Sequence, residues 1–222
     1  MGNRKGQVIL GCLPLTRARL VPDAIRALIS KYPDINVRVV DGIVPALFAM
    51  LMHGEMDMLV GTLRNPLPEG TSAEVMLYDR ISIVVRPEHP LTRQDVVTLD
   101  DCLRYDWILP NSPAPLRQFF DKVVQSQGSN FPIRYAEVDS VMVGRSLLCN
   151  SDRIAILSYF QVEQEVRWGR LSTVPVLLPD AGRKIGILTK AGYQPTPFVA
   201  AFIEDLRAVA KQLQQDAVAD AR

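Results

Sequence analysis

The stretch from Val40 to Gly61, VDGIVPALFAMLMHGEMDMLVG, decides how the chain is read. Asp41-Gly42 is a turn pair. Leu47, Met50 and Leu51 then repeat at helical spacing, and Gly54 suits the left-handed residue that ends a helix. Two acids, Glu55 and Asp57, lead straight into Met58-Leu59-Val60-Gly61. That run is too short and too apolar for a half-exposed strand, and it reads as a buried parallel one. A turn, a helix, a turn and a buried strand follow one another within this one stretch.

Working back towards the N-terminus, Ile35 to Val40 is β-branched and reads as a strand. Before it, Pro22 suits the first turn of a helix, and Ala24, Ile25, Leu28 and Ile29 give that helix an apolar face. Gln7 to Leu15 reads as a strand followed by a loop. Residues 7–61 therefore form strand–helix–strand–helix–strand, the pattern of a parallel sheet covered by helices.

Working forward, 63–71 is a Pro-rich loop, Glu74 to Tyr78 and Ile81 to Arg86 are extended, and RPEHPL is a turn. A second round follows. Trp107-Ile108-Leu109 is a strand, a Pro-started helix ends at Gly128, and Ile133 to Val138 is a strand. Asp139-Ser140 opens a helix through Leu148, and Asn150-Ser151-Asp152 turns into the strand from Arg153 to Leu157. Pro22, Asp41 and Asp57 recur in order as Pro115, Asp139 and Asp152, which reads as a weak internal repeat. After Gly182 comes a last strand. A last helix starts at Thr196 or Pro197, with Phe198, Phe202, Leu206, Val209 and Leu213 along one packing face, and its end, QQDAVADAR, is expected to fray.

The fold class is α/β, with two Rossmann-like lobes joined by two crossover strands. Residues 1–84 and 186–222 form lobe I, and 85–185 form lobe II. Two such lobes make a cleft, and ligands sit beyond the carboxyl ends of the strands, where helix N-termini also point. Leu15-Thr16, Asp41-Gly42 and Gly61-Thr62 end strands of the first lobe. Asn111-Ser112 and Asp139-Ser140 end strands of the second. The hydroxyls of Thr16, Thr62, Ser112 and Ser140 are placed to donate to a ligand oxygen. Asp41, Asp139 and Ser140 also suit ordinary turns and caps. Arg17 and Arg64 stand within reach of an anion, or lie solvated. Tyr159 follows the strand end of the second lobe and is a candidate to line it.

Several classes are excluded or disfavoured. The net charge is +1, so bulk electrostatics do not call for nucleic acid. No apolar run spans a bilayer. No nucleophile elbow, metalloprotease helix or phosphate-binding glycine loop is present, so no catalytic residue, metal ligand or cofactor is assigned. The three cysteines, Cys12, Cys102 and Cys149, suit a reduced, cytoplasmic chain with small buried thiols. His53 and His89 read as surface residues.

GCLPLTRARLVPDAIRALISKYPDINVRVVDG resembles the opening of the effector-binding domain of LysR-type transcriptional regulators. LFAMLMHGEMDMLVG is similar to that family's helix–turn–strand, and VVRPEHPL resembles its crossover segment. LLCNSDRIAILS and GRKIGILTKAGYQPTPFVAAFIEDLR resemble the branch of the galactose-binding-protein regulators. The resemblance implies a type 2 periplasmic-binding-protein-like fold with a small polar or anionic effector in the interlobe cleft: a sugar, a sugar acid or an aromatic acid. By position, the effector contacts implied are Leu15, Thr16, Asp41, Gly42, Ile43, Thr62, Arg64, Ser112, Ser140 and Val141. Leu15 stands where some members carry a hydroxyl residue. The Asn150 turn replaces a glycine-rich one found in many members.

The resemblance also implies a homodimer. Helix 22–31 and strand 35–40 of one copy would meet helix 115–127 and strand 133–138 of the other. Leu116, Phe119, Phe120, Val123 and Val124 appear as surplus apolar surface for that contact. The family's winged helix-turn-helix and linker helix would precede a start such as QVILG. The chain is thus expected to be an effector domain without them, with DNA bound only by the full-length protein and no membrane contact. The competing reading is a free-standing solute-binding protein of a transporter.

Overall fold

The computed structural model describes residues 6–112, 114–128, 132–178 and 182–219. The chain forms two compact units, one of residues 1–79 and 183–222, the other of residues 80–182. The changeovers fall a few residues before the 84/85 and 185/186 boundaries expected from sequence. The reason is that the two extended segments 74–78 and 81–86 are one continuous strand, and the first changeover lies inside it.

The first unit contains β1 (Gln7–Cys12), α1 (Leu20–Lys31), β2 (Asn36–Val40), α2 (Val44–His53) and β3 (Met58–Thr62). It also holds the first half of β4 (Thr71–Val85), with β9 (Gly182–Lys190) and α7 (Pro197–Ala219) returning late in the chain. Its strands lie in the order β2-β1-β3-β9-β4. β1 runs parallel to both β2 and β3, and β3 runs antiparallel to β9. Val8, Leu10, Met58 and Val60 are buried to within 0% exposure, which is why these strands read as unbroken apolar runs. α2 closes on Leu47 and Leu51 and ends at Gly54, whose φ of 73° only glycine adopts freely. α7 buries Phe202, Leu206 and Leu213, and edge-on contact between Phe198 and Tyr32 ties it to the end of α1. The helix is described through Ala219, so most of the tail expected to fray is helical, and its last three residues lie outside the described ones.

α1 carries two apolar stripes rather than one. Leu20, Val21, Ala24 and Leu28 are buried, whereas Ile29 is 44% exposed. Beside it, β2 pairs only with β1 and leaves Val39 44% exposed.

The second unit contains the rest of β4, then α3 (Leu99–Leu103), β5 (Trp107–Leu109), α4 (Pro115–Ser126) and β6 (Tyr135–Glu137). It continues with α5 (Val141–Cys149), β7 (Ile154–Ser158), α6 (Tyr159–Arg167) and β8 (Ser172–Val174). The order is β4-β7-β5-β6, with β8 also paired to β4. β5 is parallel to β6 and β7, and β4 is antiparallel to β7 and β8. Within each unit the first strand of the round lies between the second and the third: β2-β1-β3 and β6-β5-β7.

Four sequence expectations are corrected here. Phe120 is 1% exposed and stacks at 4.7 Å on the buried Trp107, while Phe119 and Leu116 pack against the same core. α4 therefore has no surplus apolar face of aromatics, because its sheet face and the α3 loop consume them. His89 is fully buried rather than on the surface, since its ring fills the RPEHPL turn against Tyr105. Cys149 is exposed, unlike Cys12 and Cys102; it is the last residue of α5, and its thiol donates to the Arg170 carbonyl at 3.7 Å. Tyr159 is 2% exposed with the Arg80 guanidinium 3.9 Å over its ring, so it belongs to the core of its unit.

Candidate functional site

In the first unit the parallel registers bring three chain segments to one edge. Gly11 pairs with Val40, and Cys12 with Val60. The chain therefore leaves β1, β2 and β3 at adjacent points, and Leu15, Asp41 and Thr62 belong to a single rim. Side-chain bonds then fix the details.

Thr16 is buried, and its hydroxyl donates to the Leu13 carbonyl at 2.9 Å, with the Val60 carbonyl at 3.3 Å. A hydroxyl has one proton to give. The donor expected to face a ligand is therefore turned inwards, where it ties the end of β1 to β3. Leu15, half-buried, occupies the one-turn helix Pro14–Thr16. Arg17 donates twice to the Cys12 carbonyl, at 3.2 and 2.9 Å, and reaches the Asp41 carboxylate at 3.0 Å. The Cys12 thiol pKa is pushed up by burial, against the lowering influence of Arg17, so Cys12 is a protonated thiol and not a nucleophile.

Asp41 and Gly42 are exposed, and Ile43 is 73% exposed at the N-cap of α2. No side chain caps that helix, and Pro45 sits in its first turn. Its first-turn N–H groups lack a side-chain cap, and its positive dipole end lies at this rim. Thr62 is half-buried at the end of β3, and Arg64 is exposed just beyond it. Among the described residues, the Thr62 hydroxyl and the Arg64 guanidinium have no hydrogen-bond or ion-pair partner.

In the second unit, Ser112 is exposed in the turn after β5. Asp139 binds the Asn111 backbone N–H at 3.1 Å and the Asn111 side-chain amide as well. It fastens the end of β6 to that of β5 instead of capping α5. Ser140 does cap α5, accepting the Val143 N–H at 3.4 Å. Val141 begins the helix half-buried, and Met142 and Val143 follow at 80% and 50% exposure. Ile43, Met142 and Val143 put apolar atoms at both rims. The sequence signal for this was available: large apolar residues at the first position or two of a helix, before its core stripe begins.

A concavity of the first unit lies beside the rim. It is an open groove of about 860 Å³ along α1 and β2, lined by Val21, Ile25, Ile29 and Val39, with Cys12, Arg17 and Asp41 at one end. Among the described residues no group of three or more His, Cys, Asp or Glu is placed to hold a metal ion. None of the described helices is long and apolar enough to cross a membrane.

The family model of the LysR substrate binding domain matches residues 2–211. The chain belongs to this family. The LysR substrate-binding domain described here is 30% identical over 209 residues to the HTH-type transcriptional regulator GalR of Pseudomonas putida. That match covers 94% of this chain and 52% of the relative, so the chain spans about half of that protein's length. The regulatory domain of Synechocystis PCC6803 CcmR in complex with 2-PG superposes with a TM-score of 0.78 at 17% identity, covering 94% of this chain and 99% of the other. The BenM effector binding domain with its effector benzoate superposes at 0.73 and 21%, covering 94% and 93%. At these identities the structures show the fold alone, and it is the type 2 periplasmic-binding-protein-like one. The curated relatives are transcriptional regulators, which does not favour the transporter reading.

Proposed function

We propose that this LysR substrate-binding domain senses a small polar or anionic effector in the cytoplasm and passes its occupancy to a DNA-binding part of a full-length regulator. The observation that carries the effector class is the first-unit rim. There the free Thr62 hydroxyl, the free Arg64 guanidinium and the uncapped start of α2 all offer donors and positive charge. Ser112, Ser140 and Val141 are the second unit's contribution, and Leu15, Asp41, Gly42 and Ile43 complete the first. Thr16 supports the rim from beneath. The exposed apolar atoms of Ile43 and Met142 favour an anion with an apolar body, such as an aromatic acid, over a bare sugar. BenM, a relative in fold, is known with benzoate.

The test is a thermal-shift screen of sugars, sugar acids and aromatic acids. The reading expects a stabilising compound whose effect falls on Arg64→Gln and Thr62→Val. Loss of one hydrogen bond to a charged ligand costs about 1.5–3 kcal/mol, roughly tenfold or more in Kd. A stabilising compound indifferent to both substitutions would refute the site.

The same reading includes a homodimer through helix 22–31 and strand 35–40 of one copy and helix 115–127 and strand 133–138 of the other. Its support is no longer the α4 aromatics. It is the second apolar stripe of α1, the exposed Val39 on an edge strand, the groove they line, and Tyr135 exposed at 46% on the edge strand β6. An isologous two-fold would use each surface twice.

A further inference from the structure

Arg17 and its partner Asp41 are shared by the two surfaces just described. Arg17 follows the Pro14–Thr16 turn on the rim, and it also lines the α1–β2 groove together with Asp41 and Cys12. Its anchorage is unequal. Two hydrogen bonds hold it to the Cys12 carbonyl, at the end of the interior strand β1. One contact of 3.0 Å holds it to Asp41, whose side chain is 70% exposed while that of Arg17 is 36% exposed. A single exposed ion pair contributes little to stability and yields readily to a competing anion. A bidentate oxyanion binds guanidinium better than a single carboxylate oxygen does.

What Asp41 does next matters. It stands one residue after Val40, the end of β2, and two before Ile43, the N-cap of α2. β2 is an edge strand bonded only to β1, so it is freer to shift than β1 or β3. Val39, on its exposed face, is part of the groove wall. A change in the Arg17–Asp41 contact therefore acts in two directions along one short segment: towards the start of α2 on the rim, and towards Val39 in the groove.

We propose that the Arg17–Asp41 ion pair couples the effector rim of the first unit to the α1–β2 groove, Arg17 being the positioning residue that sets both. This rests on the reading that a second copy docks on the groove. An anion that draws Arg17 away from Asp41 releases the 39–43 segment and alters the surface offered to that copy. Ligand and dimer are then linked by one coupling free energy, felt equally from either side.

The test needs no knowledge of the effector. Sedimentation equilibrium gives the self-association constant of wild type, Arg17→Gln, Asp41→Asn, the double variant, Asp41→Glu and Ile29→Glu. Amide hydrogen exchange over residues 42–47 reports the rim in the same proteins. The proposal expects Arg17→Gln and Asp41→Asn each to change the dimer Kd about fivefold or more and to speed exchange at the start of α2. It expects the double variant to be no worse than either single one, since both remove one shared contact. Asp41→Glu, which keeps the charge, should stay near wild type. If Ile29→Glu abolishes association but Arg17→Gln and Asp41→Asn leave the dimer Kd unchanged, the coupling is refuted and the docking reading stands. If additive single effects are seen, the two residues act separately and the coupling is again refuted. A wild type that stays monomeric, or an Ile29→Glu variant that associates normally, removes the docking reading and the coupling with it.

Discussion

Tyr193 donates its phenolic proton to one oxygen of Asp57 at 2.6 Å, and the other oxygen of that carboxylate receives the Ile9 backbone N–H at 2.7 Å. The Asp57 N–H returns a bond to the Ile9 carbonyl at 2.8 Å. One acid thus joins the start of β3, the middle of β1 and the loop between β9 and α7. Burial, and then the bond to Asp57, push the Tyr193 phenol well above its ordinary pKa.

Asp57 is therefore expected to be structural. Tyr193→Phe removes one hydrogen bond to a charged acceptor and should cost about 1.5–3 kcal/mol. Asp57→Ala leaves two donors without a partner and should cost more. For a chain of this size each kcal/mol is about 2–4 °C in Tm. Thermal unfolding of both variants checks the order. Equal stability of Asp57→Ala and wild type would contradict it.

His89 gives the fold a dependence on acid. Its Nδ1 lies 3.2 Å from the Leu91 N–H and accepts it, so the ring proton sits on Nε2, 3.2 Å from the Asp152 carbonyl. Protonating Nδ1 would set two donors against each other in a buried turn. Burial lowers the pKa below the ordinary 6.5; the Asp152 carbonyl and carboxylate work against this, and the Arg86 charge works with it. A depressed histidine pKa means that the unfolded chain takes up the proton first. The stabilisation is complete above about pH 6.5 and is lost as pH falls below it towards the folded value. Urea unfolding at a series of pH values should show this loss in wild type. His89→Gln, though less stable near neutrality, should show a flatter profile over the same range.

Asp79 and Arg183 meet at 2.6 Å, with the Asp79 side chain fully buried and that of Arg183 18% exposed. Removing one partner of such a pair strands the other charge, at a cost of about 3–5 kcal/mol. Asp79→Ala should therefore be far more damaging than Glu204→Ala, which removes an exposed partner of Arg207 on α7. A double substitution, Asp79→Leu with Arg183→Leu, should recover much of the loss. Chemical denaturation of the three proteins decides it. Failure of the double variant to recover would show that the pair is needed for more than its own neutralisation.

The legible part of the fold was the part whose periodicity is set by burial. β1, β3, β5 and β7 are apolar because both faces are covered, β2 shows only by its β-branched valines at an exposed edge, and Pro22, Pro115 and Gly54 mark helix ends by their own backbone chemistry. α6 was not legible. It buries Gln161 and Glu163 together with Tyr159, Phe160 and Val162, so its polar residues read as a surface pattern. Ser158 and Gln161 form its capping box immediately after β7, without a loop to announce it. His89 was misread for a related reason, because backbone groups satisfy its ring and no side-chain partner appears in sequence. At the rim, the positions of Asp41, Thr62 and Ser140 follow from strand ends, which sequence gives. The direction in which Thr16 points does not follow, because it depends on a carbonyl of β3 that only the register supplies.

Gly186 offers the sharpest test of the packing in the first unit. It lies in β9 between β3 and β4, pairing with Gly61 across the ladder. A Cβ at this position would stand 1.9 Å from the backbone carbonyl oxygen of Glu74. Backbone cannot rotate aside as a long side chain can, so the strands themselves must part. Gly128 is the natural control: its φ of 64° disfavours any side chain, but nothing lies within 4 Å of an added Cβ. Gly128→Ala should cost about 1 kcal/mol from backbone strain alone. Gly186→Ala should cost more, at the upper end of the range for overpacked cores or beyond it, about 3 kcal/mol or above. Its damage should appear as faster amide exchange along β9 and the neighbouring half of β4, leaving β5, β6 and β7 protected as in wild type. Equal destabilisation by the two alanines, or exchange that quickens in both units alike, would contradict this packing of β9 on β4.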